Sequence, residues 1–473
     1  MSRGIVAYGA YVPYFRLRRE AIGAALGTSA GKGTRAVAAY DEDATSMGVE
    51  ASRAALAAVD AASLASLWFA TTAPAYLDKT NANAIHAALN LDPGAFAVDL
   101  GGAVRGGVGA LRAAASATGA ALAVLADVRG GLPASADERE GGDAAVAFVM
   151  DSGDDVIAEF VGMGSATDEF LDRWRIPGEQ HSRVWEERFG EQAYLPLLEL
   201  ALADALKQAG LAADAIDHFV IAGSHGRAVR RAQAVLASTA TVAEDFTTLV
   251  GNTGAAHIGL VLADVLDSAE AGQLIALVSL ADGVDVLILR TTDALARFRS
   301  RRVATVRDVV AGGDDSLSYQ TYLTWRGLLR REPPRRPDPF RPESPSAHRG
   351  REWKYGFIGS RCVACSTLHL PSQRVCVNCH AVDQMDDECV SGKRGRIATF
   401  TVDRLAFSLN PPVVVAVVDF DGGGRFQCEM TDVDPSTVAI GQEVEMTFRR
   451  LYTSGDVHNY FWKARPARAA AQA

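Results

Sequence analysis

Two pairs of closely spaced cysteines offer the clearest chemistry in the sequence. Each pair is separated by two residues, and the four residues are Cys362, Cys365, Cys376 and Cys379. Thiolates at this spacing are typical ligands of Zn²⁺, and four of them complete its tetrahedral shell. The pattern predicts a structural zinc site, because no coordination position is left open for a substrate. A redox pair or a chance spacing is the alternative.

A second candidate lies in the stretch FAVDLGGAVRGGVGALRAAASA, residues 96–117. An apolar strand leads into glycines and an alanine-rich helix follows, which is the pattern of a turn that presents a nucleophile at a helix N-terminus. The turn contains Ala103, Val104 and Arg105. Valine cannot form a covalent intermediate. The turn therefore offers backbone N–H groups and a positive helix end, but no nucleophilic side chain.

Composition narrows the possible partners. The 473 residues are 48% hydrophobic and 22% charged, as in an ordinary globular protein, and the net charge is -10. An acidic chain argues against nucleic-acid binding, which depends on clustered Lys and Arg. No apolar run approaches the roughly 18 residues of a membrane span, and the first residues resemble a strand rather than a signal peptide. We expect a cytoplasmic protein that binds neither nucleic acid nor membrane.

The elements that must position these residues are apolar strands alternating with alanine-rich helices up to about residue 295. Such alternation predicts an α/β fold with buried sheets. DLGGAVRGGVGALRAAASA in the first half is similar to TLVGNTGAAHIGLVLADVL in the second, and a strand follows each. We therefore predict a duplicated domain over residues 1–295, with halves of about 1–155 and 156–295. A shared Ala and Gly bias is the alternative explanation of the likeness.

The remaining chain has a different composition. Residues 296–350 contain a helix and a Pro- and Arg-rich stretch, which predicts an extended connector. The cysteine pairs lie in a predicted zinc ribbon over residues 351–390. Short alternating strands over residues 391–466 predict a small all-β barrel of the OB type.

Several stretches resemble hydroxymethylglutaryl-CoA synthases, especially archaeal ones, in the same order along the chain. They are GIVAYGAYVPYFRLRREAIG, DEDATSMGVEASRAAL, TDEFLDRWR, ERFGEQAYLPLL, LVGNTGAAHIGLVLADVLDSAEAGQLIALVS and SYQTYLTWRGLL. The resemblance implies a duplicated thiolase fold with five αβαβα layers, a CoA thioester as substrate, and a homodimer. The tail resembles the zinc-ribbon plus OB-fold proteins that accompany thiolase-like enzymes acting on acyl-CoA.

The resemblance also implies which side chains the chemistry needs, and three of the four are missing. The acyl-accepting cysteine of the family aligns with Val104, its acid/base glutamate with or near Thr72, and its histidine with or near Ala222. Only the asparagine is retained, as Asn252. This departure argues against an acyl-cysteine mechanism.

Backbone amides at the turn still offer a site for the oxygen of a thioester. We predict that Val104, Arg105 and Gly106 form this oxyanion site, and that Asn252 donates to the same oxygen. Arg105 is also a candidate partner for a substrate carboxylate or a CoA phosphate, or for a structural ion pair with Asp99 or Asp143.

Candidates for moving a proton lie near the positions of the lost residues. Histidine titrates near neutrality, which suits an acid/base. His225 and His257 are the histidine candidates, and Tyr76 is a candidate in the loop of the lost glutamate. A surface-turn or helix-packing role is the structural alternative for each.

Three arginines at helical spacing, Arg227, Arg230 and Arg231, are candidates for binding the phosphates of CoA. A solvated helix face is their structural alternative.

Three functions fit this sequence. The first is C–C bond formation or cleavage, of the aldol or retro-aldol type, in an acyl-CoA without an acyl-cysteine. The second is a non-catalytic acyl-CoA-binding or scaffold partner of another thiolase-type or acyl-CoA enzyme. The third is a synthase-like acyltransferase with a displaced nucleophile.

Overall fold

The computed structural model describes residues 3–336 and 339–468. They form two compact units. The larger unit contains residues up to 38, 43–83 and 91–319, and the smaller unit contains 39–42, 84–90 and the chain from 320 onward. Residues 296–319 thus belong to the larger unit, although the sequence analysis assigned them to the connector. The predicted domain boundaries stay predictions.

Fourteen strands of the larger unit follow the alternation expected from the sequence. They are β1 (Arg3–Tyr11), β2 (Phe15–Arg18), β3 (Thr34–Val37), β4 (Leu64–Thr71), β5 (Phe96–Gly101), β6 (Ala120–Asp127), β7 (Ala144–Ser152), β8 (Ala158–Ala166), β9 (Arg173–Trp174), β10 (Arg183–Val184), β11 (His218–Gly223), β12 (Thr241–Val242), β13 (Leu274–Leu280) and β14 (Val284–Thr291).

Ten of these strands form one sheet whose order shows the duplication. The order is β12-β11-β13-β14-β8-β1-β7-β6-β4-β5. In the first half β4 pairs parallel with β5 and β6, and β7 and β1 continue antiparallel. In the second half β11 pairs parallel with β12 and β13, and β14 and β8 continue antiparallel. Two residue pairs between β1 and β8 join the halves.

The helices of the described residues are α1 (Arg19–Leu26), α2 (Ala44–Leu56), α3 (Ala82–Ala88), α4 (Gly106–Ser116), α5 (Ala136–Glu140), α6 (Glu187–Ala209), α7 (Gly226–Leu236), α8 (His257–Ser268), α9 (Ala294–Arg299), α10 (Val306–Ala311), α11 (Tyr319–Trp325) and α12 (Ser344–Arg349). Most of α3 and α11 and all of α12 belong to the smaller unit.

The packing of the helices gives the layers of the thiolase fold. Helix α2 packs on β1, β6 and β7, while α6 packs on β8, β13 and β14. Helix α8 contacts β7 and β1 of one half and β11 and β13 of the other, and α4 packs against α8. Ten consecutive residues of α8 are buried, as expected for an apolar helix enclosed between two layers. The fold predicted from the sequence is confirmed.

The smaller unit holds the last eight strands. They are β15 (Ile358–Cys362), β16 (Leu368–His369), β17 (Met385–Cys389), β18 (Arg394–Asp403), β19 (Val413–Phe420), β20 (Arg425–Met430), β21 (Glu443–Ser454) and β22 (Val457–Pro466). The first three form a sheet in the order β16-β15-β17, and the others close a barrel in the order β18-β19-β20-β22-β21. The burial of β19 alternates strictly, because its side chains point by turns into and out of the barrel. The closed barrel confirms the predicted OB-type architecture.

Candidate functional site

A cavity of about 600 Å³ in the larger unit brings together residues that are far apart in the sequence. Five predicted site residues line it, namely Val104, His225, Arg227, Arg230 and Asn252. The loop after β5, the loop after β11 with the start of α7, and the segment between β12 and α8 supply them. Because β5 corresponds to β12 in the strand order, equivalent segments of the two halves meet at one site.

The turn between β5 and α4 has the geometry of a nucleophile elbow. Gly102 has φ +100°, a conformation that residues with side chains rarely adopt. The backbone N–H groups of Gly106 and Gly107 donate to the carbonyls of Ala103 and Val104 at 3.0 Å. Those of Val104 and Arg105 have no protein acceptor among the described residues. Two of the three predicted oxyanion positions thus keep an available N–H, whereas the N–H of Gly106 is used within the turn.

The side chain of Arg105 is held by the protein. Its Nε donates to Asp285 at 2.8 Å, its Nη1 to the carbonyl of Asp282 at 2.7 Å, and its Nη2 to Thr167 at 2.9 Å. The expected ion pair therefore exists, but Asp285 is the partner in place of Asp99 or Asp143. All three nitrogens are engaged, so the protein fixes the position of the guanidinium.

His225 is the buried imidazole of the cavity. It is 6% exposed and caps α7, with its Nδ1 accepting the N–H of Ala228 at 3.0 Å. Since Nδ1 accepts a hydrogen bond, the proton of the neutral ring lies on Nε2. Nε2 is buried and has no protein partner. The helix cap thus fixes the orientation of the ring, with Nε2 directed at Gly190 of α6.

Helix α6 leaves room for this imidazole. A side-chain carbon at Gly190 would lie 2.5 Å from His225 Nε2, closer than real contacts allow. Tyr194, one turn further along α6, lies with its ring centroid 5.9 Å from that of His225. The ring of His225 can therefore occupy this position only because Gly190 has no side chain.

Asp172 and Tyr194 were not predicted as site residues from the sequence. Asp172 lines the cavity and is 5% exposed, and its Oδ2 accepts the hydroxyl of Tyr194 at 3.3 Å. Burial, followed by the charge of Asp172, raises the pKa of Tyr194 well above its ordinary value, so the phenol stays a donor. TDEFLDRWR and ERFGEQAYLPLL contain these residues and were noted only as parts of the family resemblance. Their position in these two family-like stretches is the only sequence feature that pointed to Asp172 and Tyr194.

Asn252 lines the cavity with its amide fixed at both ends. Its Nδ2 donates to the carbonyl of Gly223 at 2.8 Å, and its Oδ1 accepts the N–H of Gly254 at 3.0 Å. The bond to Gly223 ties the segment before α8 to the end of β11. One N–H of the amide remains for a ligand, which fits the predicted donor role.

His257 and Tyr76 do not line this cavity. His257 is 2% exposed, and its Nδ1 lies 3.3 Å from both the backbone N and the hydroxyl of Thr253. Burial lowers its pKa to about 4, so it stays neutral near pH 7. The backbone of Tyr76 exchanges hydrogen bonds with the amide of Asn81. Neither residue is brought to the turn at Val104.

Thr72, which aligns with the missing glutamate, belongs to a buried polar network. Its N–H and hydroxyl donate to Asp127 Oδ1 at 2.7 and 2.8 Å, and its hydroxyl accepts Arg129 Nη1 at 3.0 Å. Arg129 itself lines the cavity. An arginine thus lies beside the position that the resemblance assigns to a carboxylate.

The three arginines of α7 are exposed. Arg227 and Arg230 line the cavity, whereas Arg231 does not. Two of the three predicted phosphate-binding residues are therefore at the site.

The four cysteines of the predicted zinc site come together in the smaller unit. Their sulfurs all lie within 4.8 Å of one another, with 3.6 Å between Cys362 and Cys379 and 3.4 Å between Cys365 and Cys376. A tetrahedral Zn²⁺ with sulfurs at 2.3 Å requires sulfur–sulfur distances of about 3.8 Å. The N–H groups of Asn378 and Cys379 point to Cys376 Sγ. This donor set fits zinc.

Among the residues that the structure describes, no helix combines the length and the apolarity needed to cross a membrane.

Comparison with known proteins agrees with the architecture of both units. The chain is 32% identical to the hydroxymethylglutaryl-CoA synthase of Pyrococcus furiosus over 296 residues, which are 59% of this chain and 83% of that protein. It is similar in structure to MvaS in complex with 3-hydroxy-3-methylglutaryl coenzyme A, with a TM-score of 0.59 and 19% identity, over 72% of this chain and 94% of that one.

Two further matches concern shorter parts of the chain. Residues 388–449 match the family described as "ChsH2, C-terminal OB-fold domain". A DUF35 domain-containing scaffold protein of Methanocaldococcus jannaschii is 33% identical over 126 residues, which are 24% of this chain and 89% of that protein. With the synthase match, they lead to one assignment: the chain belongs to the hydroxymethylglutaryl-CoA synthase family and carries a fused OB-fold domain.

Proposed function

We propose that the cavity at Val104 binds the acyl end of a CoA thioester and that the protein makes or breaks a C–C bond there without a covalent acyl-enzyme. The observation that carries this proposal is the convergence of Val104, His225 and Asn252 on one cavity, beside a turn whose N–H groups at Val104 and Arg105 are available. The relatives named as hydroxymethylglutaryl-CoA synthases support a thioester ligand.

The absence of cysteine from the larger unit supports a non-covalent route. All six cysteines lie at residue 362 or later in the sequence, so none belongs to the larger unit. Donors remain, however, for the oxygen of a thioester. They are the N–H groups of Val104 and Arg105, His225 Nε2 and the amide of Asn252.

The aldol cleavage of a 3-hydroxyacyl-CoA uses these groups as follows. Asp172, the buried acid of the cavity, takes the proton of the 3-hydroxyl group. The bond between C2 and C3 breaks as a carbonyl forms at C3, and its electron pair moves onto the thioester as an enolate. The backbone donors and His225 stabilise the enolate oxygen. C2 then takes up one proton and Asp172 releases the one that it accepted, which gives the shorter acyl-CoA and restores the carboxylate; condensation is the reverse.

A panel of 3-hydroxyacyl-CoA thioesters tests this function. We expect release of an aldehyde or ketone together with a shorter acyl-CoA, both detected by liquid chromatography and mass spectrometry. The Asp172→Asn variant should slow release by about 100-fold or more, because it removes the proton acceptor. Thioester binding without any C–C cleavage or condensation would contradict the proposal.

A scaffold role is the second candidate, favoured by the similarity to a DUF35 domain-containing scaffold protein. In this role the chain binds acyl-CoA and assembles with another thiolase-type enzyme without catalysis of its own. The same panel separates the two, because a scaffold binds thioesters and leaves them intact.

A displaced nucleophile requires a hydroxyl at the cavity. Ser135, Ser182 and Ser224 line it. Ser135 caps α5, with its oxygen accepting the N–H of Glu138 at 3.2 Å, and Ser224 is hydrogen-bonded to Tyr194. Detection of an acyl-serine would favour this third function.

The remaining proposals concern the whole protein. We propose a structural zinc ion at the four cysteines, a homodimer and a cytoplasmic location. The donor set supports the zinc, and light scattering of the purified protein tests the dimer.

A further inference from the structure

The turn between β5 and α4, which holds the available N–H groups of Val104 and Arg105, is rich in glycine. Two glycines precede these residues and two follow them, namely Gly101, Gly102, Gly106 and Gly107. No atom lies within 4 Å of a side-chain carbon added at Gly102, so close packing does not hold the chain there. Glycine leaves the backbone more conformational freedom than any other residue. Because backbone donors stabilise an oxyanion only when they are fixed in advance, another contact must hold this turn.

The side chain of Arg105 supplies such a contact, because it reaches across to the second half of the larger unit. Its acceptors are the carboxylate of Asp285 in β14, the carbonyl of Asp282 before β14, and the hydroxyl of Thr167 after β8. The side chain of Asp285 is only 5% exposed, which shields this ion pair from water. The carbonyl of Arg105 accepts the N–H of Gly109 in α4 at 3.0 Å. Arg105 thus joins the turn of the first half to strands of the second half.

The acceptors of Arg105 are themselves held in place. The N–H of Asp282 donates to the hydroxyl of Tyr194 at 3.1 Å, which ties the turn between β13 and β14 to α6. Oδ1 of Asp285 accepts the hydroxyl of Ser165 at 2.5 Å, which ties β14 to β8. The guanidinium therefore binds a surface whose geometry is already fixed.

The turn between β13 and β14 has room for the guanidinium because it contains Gly283. This residue has φ +123°, and a side-chain carbon there would lie 2.7 Å from Arg105 Nη1, closer than real contacts allow. The contact thus depends on residues of both halves, with an arginine in the first and a glycine and an aspartate in the second.

We infer that Arg105 is a positioning residue, whose side-chain contacts aim the N–H groups of Val104 and Arg105 at the thioester oxygen. The inference rests on the proposed function and adds a residue to its machinery. Among the described residues that line the cavity, Val104 is present and Arg105 is not, so the guanidinium acts through the turn that it holds. Misplaced donors weaken the transition state more than the bound substrate, because the oxygen becomes negative only as the reaction proceeds.

Steady-state kinetics of the Arg105→Met variant, with the 3-hydroxyacyl-CoA that the wild type cleaves, test the inference. Methionine keeps an unbranched side chain and lacks the guanidinium. We expect kcat to fall at least about tenfold while KM changes by less than about twofold, because the loss falls on the transition state. Arg105→Lys should recover part of kcat, since an ammonium can still pair with Asp285.

Arg112→Met is the matched control. Arg112 lies about two turns further along α4, and its Nη1 donates to the same carboxylate, Asp285 Oδ1, at 3.1 Å. The control removes an equal charge from Asp285 without touching the turn, so kcat should stay within about twofold of the wild type. Thr167→Val, at an exposed residue, removes only the Nη2 bond of Arg105 and should lower kcat about two- to fivefold. This variant decides the question if Arg105→Met does not fold.

Three results would overturn the inference while leaving the proposed function standing. The first is an equal fall of kcat in Arg105→Met and Arg112→Met, which would assign Arg105 to packing around Asp285. The second is an unchanged kcat in Arg105→Met, or in Thr167→Val where that variant decides. The third is a higher KM at constant kcat, which would assign Arg105 to substrate binding. If the wild type cleaves no thioester, the proposed function fails, and the inference with it.

Discussion

The turn around Val104 has the geometry of a nucleophile elbow but carries no nucleophilic side chain at its apex. The N–H groups of Val104 and Arg105 are available, and Gly102 still permits the sharp bend. The side chain at the apex is that of Val104. Arg129 lies beside Thr72, the position that the resemblance assigns to the glutamate. At this scale the turn has two available N–H groups and no thiol.

One substitution can separate the proposed chemical role of His225 from its structural role as the cap of α7. Asparagine is among the best capping residues, so His225→Asn should preserve the start of α7 while removing the Nε2 donor. We expect turnover to fall by about 100-fold or more, with the free energy of unfolding changed by less than about 1 kcal/mol. Enzyme assays and thermal unfolding measure the two effects. Unchanged turnover would exclude His225 from the site chemistry.

Burial of His257 predicts a pH dependence of stability. Its pKa is about 4 in the folded protein, against an ordinary value of 6.5. As pH falls below 6.5 the unfolded chain binds the proton first, so the stability that is present above 6.5 is lost towards pH 4. The loss amounts to about 3 kcal/mol. Denaturant unfolding at several pH values should show it, and His257→Gln should flatten the curve, whereas the exposed His348→Gln should not.

Residue types alone predicted part of the site. The turn at Val104 follows from its pattern of strand, glycines and helix, whereas Asn252 and His225 were singled out through the family resemblance. Asp172, Tyr194 and Arg129 were missed, because their role arises from packing between segments far apart in the chain. His257 was placed at the site from helical spacing, but its side chain is buried beside Thr253.

Helix α6 determines where the imidazole can lie. Gly190→Ala would put a carbon 2.5 Å from His225 Nε2, so the ring must move and turnover should fall by about tenfold or more. Gly109→Ala in α4 is the matched control, since no atom lies within 4 Å of the added carbon. It should raise stability by about 0.5–1 kcal/mol and leave turnover unchanged. Equal activity of the two variants would contradict this role of α6.

The zinc site is predicted to hold the ribbon strands β15, β16 and β17 together. Metal analysis of the purified protein should find one zinc per chain, and Cys365→Ser should reduce it to well below one. Removal of the metal by a strong chelator should lower the unfolding temperature of the smaller unit. Cys389→Ser, at a cysteine outside the cluster, should retain the metal. Full zinc content in Cys365→Ser would refute the assignment.

Helices and strands were predictable where hydrophobic residues recur at a regular spacing in the sequence. The strands of the larger unit and the alternating strand β19 follow directly from their sequence patterns. The sequence did not predict that residues 296–319 belong to the larger unit, because their basic residues suggested a connector. In the structure α10 packs against α8 and β1, and Arg307 pairs with Glu244 and Asp264. Those partners lie over 40 residues away in the sequence.

At the scale of the whole molecule, the duplicated sheet explains why one cavity receives loops from both halves. The order of strands in one half repeats in the other, so β5 corresponds to β12, and the segments after these two strands supply Val104 and Asn252 to the cavity. The fused barrel and cysteine cluster add a second unit to a family whose curated relatives match the first. The central claim is that the site formed by the two halves acts without a covalent intermediate.

Intact-mass spectrometry during turnover tests that claim most directly. The protein is mixed with a 3-hydroxyacyl-CoA, quenched within the first turnovers, and weighed while the products are quantified. Val104→Cys, which places a thiol at the helix N-terminus, provides a control for detecting an adduct. The account predicts cleavage products with no acyl mass on the wild-type chain. An adduct of the acyl mass that forms and decays at the rate of turnover would contradict it.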